Sequence, residues 1–96
     1  MNGVERITAE RRRQIEVEGW TDDGAYSRNE LALAAVCYAL PEDERQTVRD
    51  WWWPWDLRWW KPSPDNRIRE LEKAGALIAA EIDRLIGAAL AQEAKP

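Results

Sequence analysis

A twelve-residue stretch, "WWWPWDLRWWKP" at 51–62, constrains the fold more than any other part of the chain. It holds six of the seven tryptophans and two prolines. Because proline lacks a backbone N–H and disfavours a helical residue before it, the stretch cannot be one continuous helix. A tryptophan buries about 150–250 Å², so six of them exceed what two or three core helices can cover. The sequence predicts an irregular segment with some rings in a groove or an interface.

Size and composition indicate one small globular domain spanning 1–96. The chain has 96 residues, is 45% hydrophobic and 33% charged, and carries a net charge of −4. A domain of this size buries only about 60–65% of its unfolded surface, so a homo-oligomer is expected. The acidic balance argues against a nucleic-acid polymer as partner, since phosphate contacts need a basic face. Eleven of the fourteen cations are arginines, whose planar forks can still grip a local anion.

Histidine is absent and Cys37 is the only cysteine, which removes the commonest general base and any intrachain disulfide. Carboxylates remain as the acid/base or metal-binding groups, and no cofactor is expected. Cys37 lies in the apolar run "LALAAVCYAL", where a buried inert thiol is predicted. No apolar run reaches about 18 residues and the N-terminus has no signal-peptide pattern, which predicts a cytoplasmic protein without a membrane contact.

Periodicity and capping residues predict an all-α fold with three principal helices, at about 4–18, 28–40 and 64–91. A short helix at 42–50 fits the leading proline and acids of "PEDERQTVRD". The helix at 28–40 should be the most buried element, because its apolar side chains occupy all sides. Glu30 follows Ser27 by three residues as the acid of a capping box, and its alternative role is a relic metal ligand.

The first and last helices each carry an apolar stripe. In the first, Ile7, Arg11 and Gln14 follow one face, so Arg11 can point inward, and Gly19 ends the helix. In the last, Ser63 is the expected cap and Pro64 the first helical residue. Its stripe consists of Ile68, Leu71, Gly75, Ile78, Ile82, Leu85 and Ala89, with Leu77, Ile86 and Leu90 beside it.

Four stretches, "ERRRQIEVEGWTDD", "ELALAAVCYAL", "PWDLRWWKP" and "KAGALIAAEIDRL", resemble a family of small phage and prophage proteins of mostly unassigned function. The resemblance spans nearly the whole chain. In that family a Gly-Trp is followed by His-Asp-Asp, whereas here Asp22 and Asp23 stand without the histidine. The resemblance implies a phage-encoded protein, but it leaves any role for these two aspartates open.

The order of elements is also distantly similar to that of the all-α NTP pyrophosphatases of the MazG type. Those enzymes hold magnesium with an E-E-x-x-E motif and a later E-x-x-D motif, since a hard cation needs several oxygen ligands. Here Glu30 matches, but Leu31 and Ala34 occupy the other positions of "NELALAA". The resemblance therefore implies a nucleotide-hydrolase scaffold without its metal-binding acids, which could bind without turnover.

Two interpretations of the tryptophan segment remain open. Trp53 and Trp55 can clamp it onto the central helix while the other rings join an oligomer contact. Alternatively, the rings form a cage in which indole faces stack on a nucleobase beside cations that hold a phosphate. The candidate ligand-binding residues are Arg11, Trp20, Tyr26, Trp53, Trp55, Trp59, Trp60, Lys61 and Arg67.

The sequence favours a non-enzymatic phage or prophage accessory protein that binds a nucleotide-derived small molecule, as a sponge for a host immune signal. A first alternative is an inhibitor that binds a host defence protein through exposed tryptophans. A second is a residual metal-dependent pyrophosphatase that uses Asp23, Glu30 and Glu70. No catalytic and no metal-binding residues are assigned.

Overall fold

The computed structural model describes residues 1–19 and 29–94, and these residues form four α-helices, one short 3₁₀ turn and no strand. The helices are α1 (Gly3–Glu16), α2 (Glu30–Ala39), α3 (Glu42–Trp52) and α4 (Arg67–Glu93), and the 3₁₀ turn is Leu57–Trp59. The prediction of an all-α fold is confirmed. α4 packs against both α1 and α2, and α3 packs against α2.

A capping box that the sequence interpretation missed begins α1. The backbone N–H of Glu5 donates to Asn2 Oδ1, and the Asn2 N–H donates to Glu5 Oε1, both at 2.9 Å. This reciprocal pair satisfies two amides that no helical carbonyl can reach, so the helix starts at Gly3. α1 ends at Glu16, short of the predicted 18, and Gly19 has a φ of 73° that favours glycine.

The core lies where α2 meets α4, and it is built mainly from small side chains. Its buried apolar residues are Leu31, Ala34, Ala35, Cys37 and Tyr38 of α2 and Ala74, Ala76, Leu77 and Ala80 of α4. The expected high burial of α2 is therefore confirmed, although the helix begins at Glu30 and Ser27 lies outside the described residues. Cys37 is fully buried, as predicted, and burial raises the pKa of its thiol.

A buried ion pair fastens α3 to α4. Arg45 Nη1 lies 2.6 Å from Glu70 Oε2, and both side chains are at least 95% buried. The Glu70 carboxylate also accepts a hydrogen bond from the Ser63 N–H at 3.1 Å. Ser63 therefore does not cap α4 as predicted. The cap is Asn66, whose Oδ1 accepts from the Arg69 N–H at 3.1 Å, so the helix begins at Arg67 and runs to Glu93.

The predicted irregular segment 51–62 is partly helical. α3 extends two residues beyond the predicted 50 and includes Trp51 and Trp52, so the irregular part begins at Trp53. Pro54 and Pro62 lie in non-helical backbone, as their chemistry requires. The segment then returns along the core to the start of α4.

The apolar stripe of α4 faces away from the core. Its large members, Ile68, Leu71, Ile78, Ile82 and Leu85, are all about half exposed, whereas alanines and Leu77 fill the buried side. Helices in the described ranges lack the combination of length and apolar composition that a membrane crossing requires.

Candidate functional site

The tryptophans of the segment separate into two sets of three. Trp53, Trp55 and Trp60 are partly buried and pack against the core cluster. Tyr38 of α2 anchors them, with ring centroids 4.7 Å from Trp60 and 5.8 Å from Trp53. The Tyr38–Trp53 pair is edge-to-face and the Tyr38–Trp60 pair is tilted, and aromatic pairs stabilise by about 0.5–1.5 kcal/mol each beyond the area they bury. The expectation that Trp53 holds the segment to the central helix is therefore confirmed, and Trp55 packs on the core cluster with its ring centroid 5.4 Å from that of Trp53.

The second set consists of Trp51, Trp52 and Trp59, whose exposed fractions are 82%, 50% and 55%. Trp51 and Trp52 end α3, whereas Trp59 belongs to the 3₁₀ turn and borders a cleft of about 390 Å³. The lining residues of this cleft are Glu10, Arg13, Gln14, Glu18, Tyr38, Trp59, Lys61, Lys73 and Leu77. We call it the Trp59 cleft.

Backbone and side-chain hydrogen bonds hold the cationic wall of the Trp59 cleft in place. The Lys61 N–H donates to Tyr38 Oη at 3.1 Å, and Lys73 Nζ donates to the Lys61 carbonyl at 2.7 Å. Lys61 Nζ lies 5.8 Å from the Trp59 ring centroid, and Lys73 Nζ lies 5.5 Å from that of Tyr38. Each ammonium group therefore lies beside an aromatic face.

The carboxylates of the Trp59 cleft are already neutralised by arginines. Glu10 accepts from Arg13 Nε at 2.8 Å and from Arg69 Nη1 at 2.7 Å, and Glu18 accepts from Arg13 Nη1 at 3.1 Å. Among the described residues, no carboxylate lies within ion-pair distance of Lys61 or Lys73. The two lysines thus give the cleft an excess of positive charge in a protein whose net charge is −4.

Burial and neighbouring charges shift several pKa values in the cleft. Burial, together with the charge of Arg69, lowers the pKa of Lys73. Burial raises the pKa of Tyr38. Burial alone would raise the pKa of Glu10, but hydrogen bonds from Arg13 and Arg69 outweigh it and lower that pKa. The cleft therefore holds one ammonium group that is poorly solvated and a carboxylate that resists protonation.

The structure brings Trp59 and Lys61 together in the cleft, and Trp60 packs on Tyr38 immediately behind it. Arg67 is elsewhere. Its guanidinium donates to the carbonyls of Tyr38 at 3.2 Å and Leu40 at 3.0 Å, and also to that of Ala39. These are carbonyls at the end of α2 that no helical amide can reach, so Arg67 acts as a side-chain cap.

Arg11 points inward as predicted, but toward α4. Its side chain is 10% exposed, and Nη2 lies 3.4 Å from Asp83 Oδ2. It lines a different groove, of about 420 Å³ between α1 and α4. Trp20 and Tyr26, also predicted as ligand-binding, lie outside the described residues.

The sequence predicted two of the nine lining residues, Trp59 and Lys61, and the missed ones include Arg13, Tyr38 and Lys73. A signal exists for two of them. Tyr38 is the one residue of "LALAAVCYAL" whose ring ends in a hydrogen-bonding group, and Lys73 follows Arg69 by four positions and so shares its helix face. Arg13 carries no such signal, because it lies in a run of three consecutive arginines on a charged helix.

Two of the three acids of the pyrophosphatase alternative can be placed. Glu70 is committed to Arg45 and Arg67, Glu30 lies in the first turn of α2, and Asp23 falls outside the described residues. Across residues 1–19 and 29–94, no three acidic or cysteine side chains come together as a metal site would require.

Comparisons with protein-family models, curated proteins and solved structures find no match to this chain.

Proposed function

We propose that the protein binds a nucleotide-derived small molecule in the Trp59 cleft and does not turn it over. The observation that carries this proposal is that Lys61 and Lys73, neither paired with a described carboxylate, line one cleft with the exposed ring of Trp59. An aromatic face and a pair of cations are what a base joined to a phosphate requires.

The electrostatics of Lys73 favour an anion. Its ammonium group is partly desolvated and lies near Arg69, and both effects lower its pKa. A phosphate oxygen at this position would replace the lost hydration of Lys73 and offset its repulsion from Arg69. Anion binding would therefore stabilise a charged group that is poorly stabilised in the free protein.

The volume of the Trp59 cleft and the fixed position of the Trp59 ring suit a nucleobase. A volume of about 390 Å³ falls in the range of about 300–1,000 Å³ typical of small-molecule sites. The backbone hydrogen bond from Lys61 to Tyr38 fixes the turn that carries Trp59, so little freedom is lost when a base stacks there. Stacking on an indole face contributes about 1–3 kcal/mol per base.

The hydrogen bonds of the cleft's carboxylates support binding without turnover. Glu10 is held by two arginines and its pKa is lowered, which makes it a poor general base. A tight binder without turnover would act as a sponge. By the resemblance to phage and prophage proteins, the sequestered molecule would be a host immune signalling nucleotide and the location the host cytoplasm.

The test is a thermal-shift series with AMP, ATP, cyclic AMP and cyclic dinucleotides as probes. A ligand at one hundred times its Kd stabilises the folded state by about 2.7 kcal/mol, which moves the Tm of a domain of this size by about 10 °C or more. Trp59→Ala should weaken binding about 5- to 150-fold, and Trp59→Phe should retain most of it.

Two matched controls separate the cleft from general surface effects. Trp51→Ala removes an indole that is more exposed and lies outside the cleft, and Arg12→Met removes one positive charge from the outer face of α1. Both variants should bind the probe as the wild type does. If no probe shifts the Tm, or if Trp51→Ala weakens binding as much as Trp59→Ala, the proposal is wrong.

The exposure of Trp51 and Trp52 favours a second candidate function, a protein-binding surface for a host defence protein. Two adjacent large rings at a helix end are the kind of anchor that dominates protein interfaces. Under this alternative, Trp51→Ala abolishes the protein's effect on host defence and Trp59→Ala preserves it, which is the reverse of the pattern expected for the sponge.

A further inference from the structure

The C-terminal half of α4 carries an apolar face that the described part of the chain leaves uncovered. Its members are 50–60% exposed and are Ile78, Ile82, Leu85, Ile86 and Leu90. Every residue from Leu85 to Ala94 is exposed, so this end of the helix projects from the body. A few helical turns without tertiary packing are only marginally stable in water, because most helical stability comes from burying an apolar face.

The spacing along this face identifies what kind of surface would cover it. Successive apolar positions at 68, 71, 75, 78, 82, 85 and 89 alternate between steps of three and four residues. That alternation is the heptad seam of helices that pack side by side along their length. The complementary surface is therefore another helix that lies nearly parallel or antiparallel to α4.

The charges of α4 show why a second copy of this helix fits. Between positions 78 and 90 the charged residues are Glu81, Asp83 and Arg84, and none belongs to the seam. Glu81 pairs with Arg84 at 2.6 Å, and Asp83 pairs with Arg11 at 3.4 Å. The positions that flank the seam are Ala79, Glu81, Ile86 and Ala88, and the one charged residue among them, Glu81, is buried and paired with Arg84 within the subunit. An identical helix would meet no like charge along this face.

We propose that the 78–90 face of α4 is the interface of a symmetric homodimer, in which two α4 helices pack antiparallel about a two-fold axis near residue 84. Ile78 of each copy then lies beside Leu90 of the other, and Ile82 lies beside Ile86. A two-fold axis makes the surface self-complementary, as the commonest oligomers require. Antiparallel packing also opposes the two helix dipoles.

The exposed apolar area of this face is of the kind that a second copy would cover. Five half-exposed Leu and Ile side chains form a patch on the order of several hundred Å², which is large for a monomer. The groove of about 420 Å³ that Ile7, Ile15 and Ala79 help to line continues the patch beside Ile78. In an antiparallel pair the C-terminal end of the second copy would lie toward this groove, which adds to the several hundred Å² of the patch, whereas a standard interface buries roughly 800 Å² per partner.

This surface differs from the one that the sequence suggested for oligomerisation, which was the tryptophan rings other than Trp53 and Trp55. Of those rings, Trp60 packs against the core within the subunit. The α4 dimer is also independent of ligand binding, because no lining residue of the Trp59 cleft lies on the 78–90 face.

Multi-angle light scattering at micromolar concentration tests the proposal with two matched variants. Leu85→Lys brings the two lysines of the two subunits close together at the two-fold axis, where they repel each other. Leu57→Lys makes the same change at a similarly exposed leucine in the 3₁₀ turn. We expect the wild type and Leu57→Lys to have at least the mass of two chains and Leu85→Lys to lose at least half of that mass. A monomeric wild type, or an unchanged mass for Leu85→Lys, overturns the proposal.

A second measurement covers the case in which Leu85→Lys fails to fold, as judged from its far-UV circular dichroism. Leu85→Cys, treated with a short bismaleimide, should form a covalent dimer, and Leu57→Cys should not. The native Cys37 is fully buried and should not react, so wild-type protein treated with the same reagent gives the background level of cross-linking. Absence of the Leu85→Cys dimer, or equal yield from Leu57→Cys, contradicts the α4 interface.

Discussion

Two glycines of α4 should respond in opposite ways to the same substitution by alanine. Gly75 lies where α1 crosses α4, and a Cβ built there falls 2.5 Å from Ile7 Cδ1 and 2.7 Å from Ile7 Cγ1. Gly87 lies in the same helix with nothing within 4 Å of such a Cβ. Both positions are helix interior, so the intrinsic gain on replacing glycine by alanine is about 1 kcal/mol in each case.

The magnitudes follow from these distances. At Gly87 the intrinsic gain is unopposed, so Gly87→Ala should raise the free energy of unfolding by about 0.5–1 kcal/mol. At Gly75, carbon atoms that prefer separations of about 3.5–4.0 Å are about 1 Å too close. Forcing α1 or the branched Ile7 side chain aside costs about 1–3 kcal/mol. The net effect of Gly75→Ala is therefore a loss of up to about 2 kcal/mol.

Urea unfolding of the two variants and a double-mutant cycle measure this difference. Ile7→Ala removes the three atoms that the new Cβ would meet, so Gly75→Ala should become stabilising in that background. If Gly75→Ala stabilises the wild-type chain as much as Gly87→Ala does, Ile7 of α1 does not lie against Gly75 of α4 and the predicted clash is refuted.

Three further predictions concern charges. Glu70→Gln leaves Arg45 buried without its anion and should cost about 3–5 kcal/mol, against less than about 1 kcal/mol for the exposed Asp50→Asn, as measured by urea unfolding. The pKa of Glu10 is lowered in the folded state, so its contribution to stability is complete above the usual pKa of 4.5 and is lost as the pH falls through the folded pKa. The Tm of the wild type should therefore decline over this acidic range, and Glu10→Gln should show a smaller decline. An equal decline in both proteins would contradict the stabilising role of ionised Glu10. A bound phosphate should raise the lowered pKa of Lys73, so probe affinity measured by calorimetry should fall at alkaline pH, and Lys73→Met should remove that dependence.

Helix content could be predicted from the sequence because it depends on local rules. Periodicity located α1, α2 and α4, and proline located the break after α2. The helix ends were less accurate where side chains form bonds that are not local. Ser63 looks like a cap by spacing, but its amide is used by Glu70 seven residues later, and Asn66 takes over the capping role.

Only Trp59 and Lys61 of the candidate site were predicted, because the site depends on which face of each helix points inward. The large apolar side chains of α4 suggested one buried face, yet alanines and Leu77 occupy the interior. Because α4 turns its alanine side toward the core, Lys73 lies in the Trp59 cleft and the stripe of large apolar side chains faces outward. Arg67 was expected at a phosphate on grounds of charge, but the carbonyls at the end of α2 occupy its donors. Neither outcome follows from spacing alone.

The small side chains and buried charged groups of the interior should lower the heat-capacity change of unfolding. Unfolding raises the heat capacity through exposed apolar area and lowers it through exposed polar area. Here alanines dominate the core, and Glu10, Gln14, Arg45, Glu70 and Glu81 are buried with them. The heat-capacity increment of the isolated subunit should therefore fall below the usual value of about 12–15 cal/mol/K per residue, which gives a flat stability curve and moves cold denaturation to lower temperature.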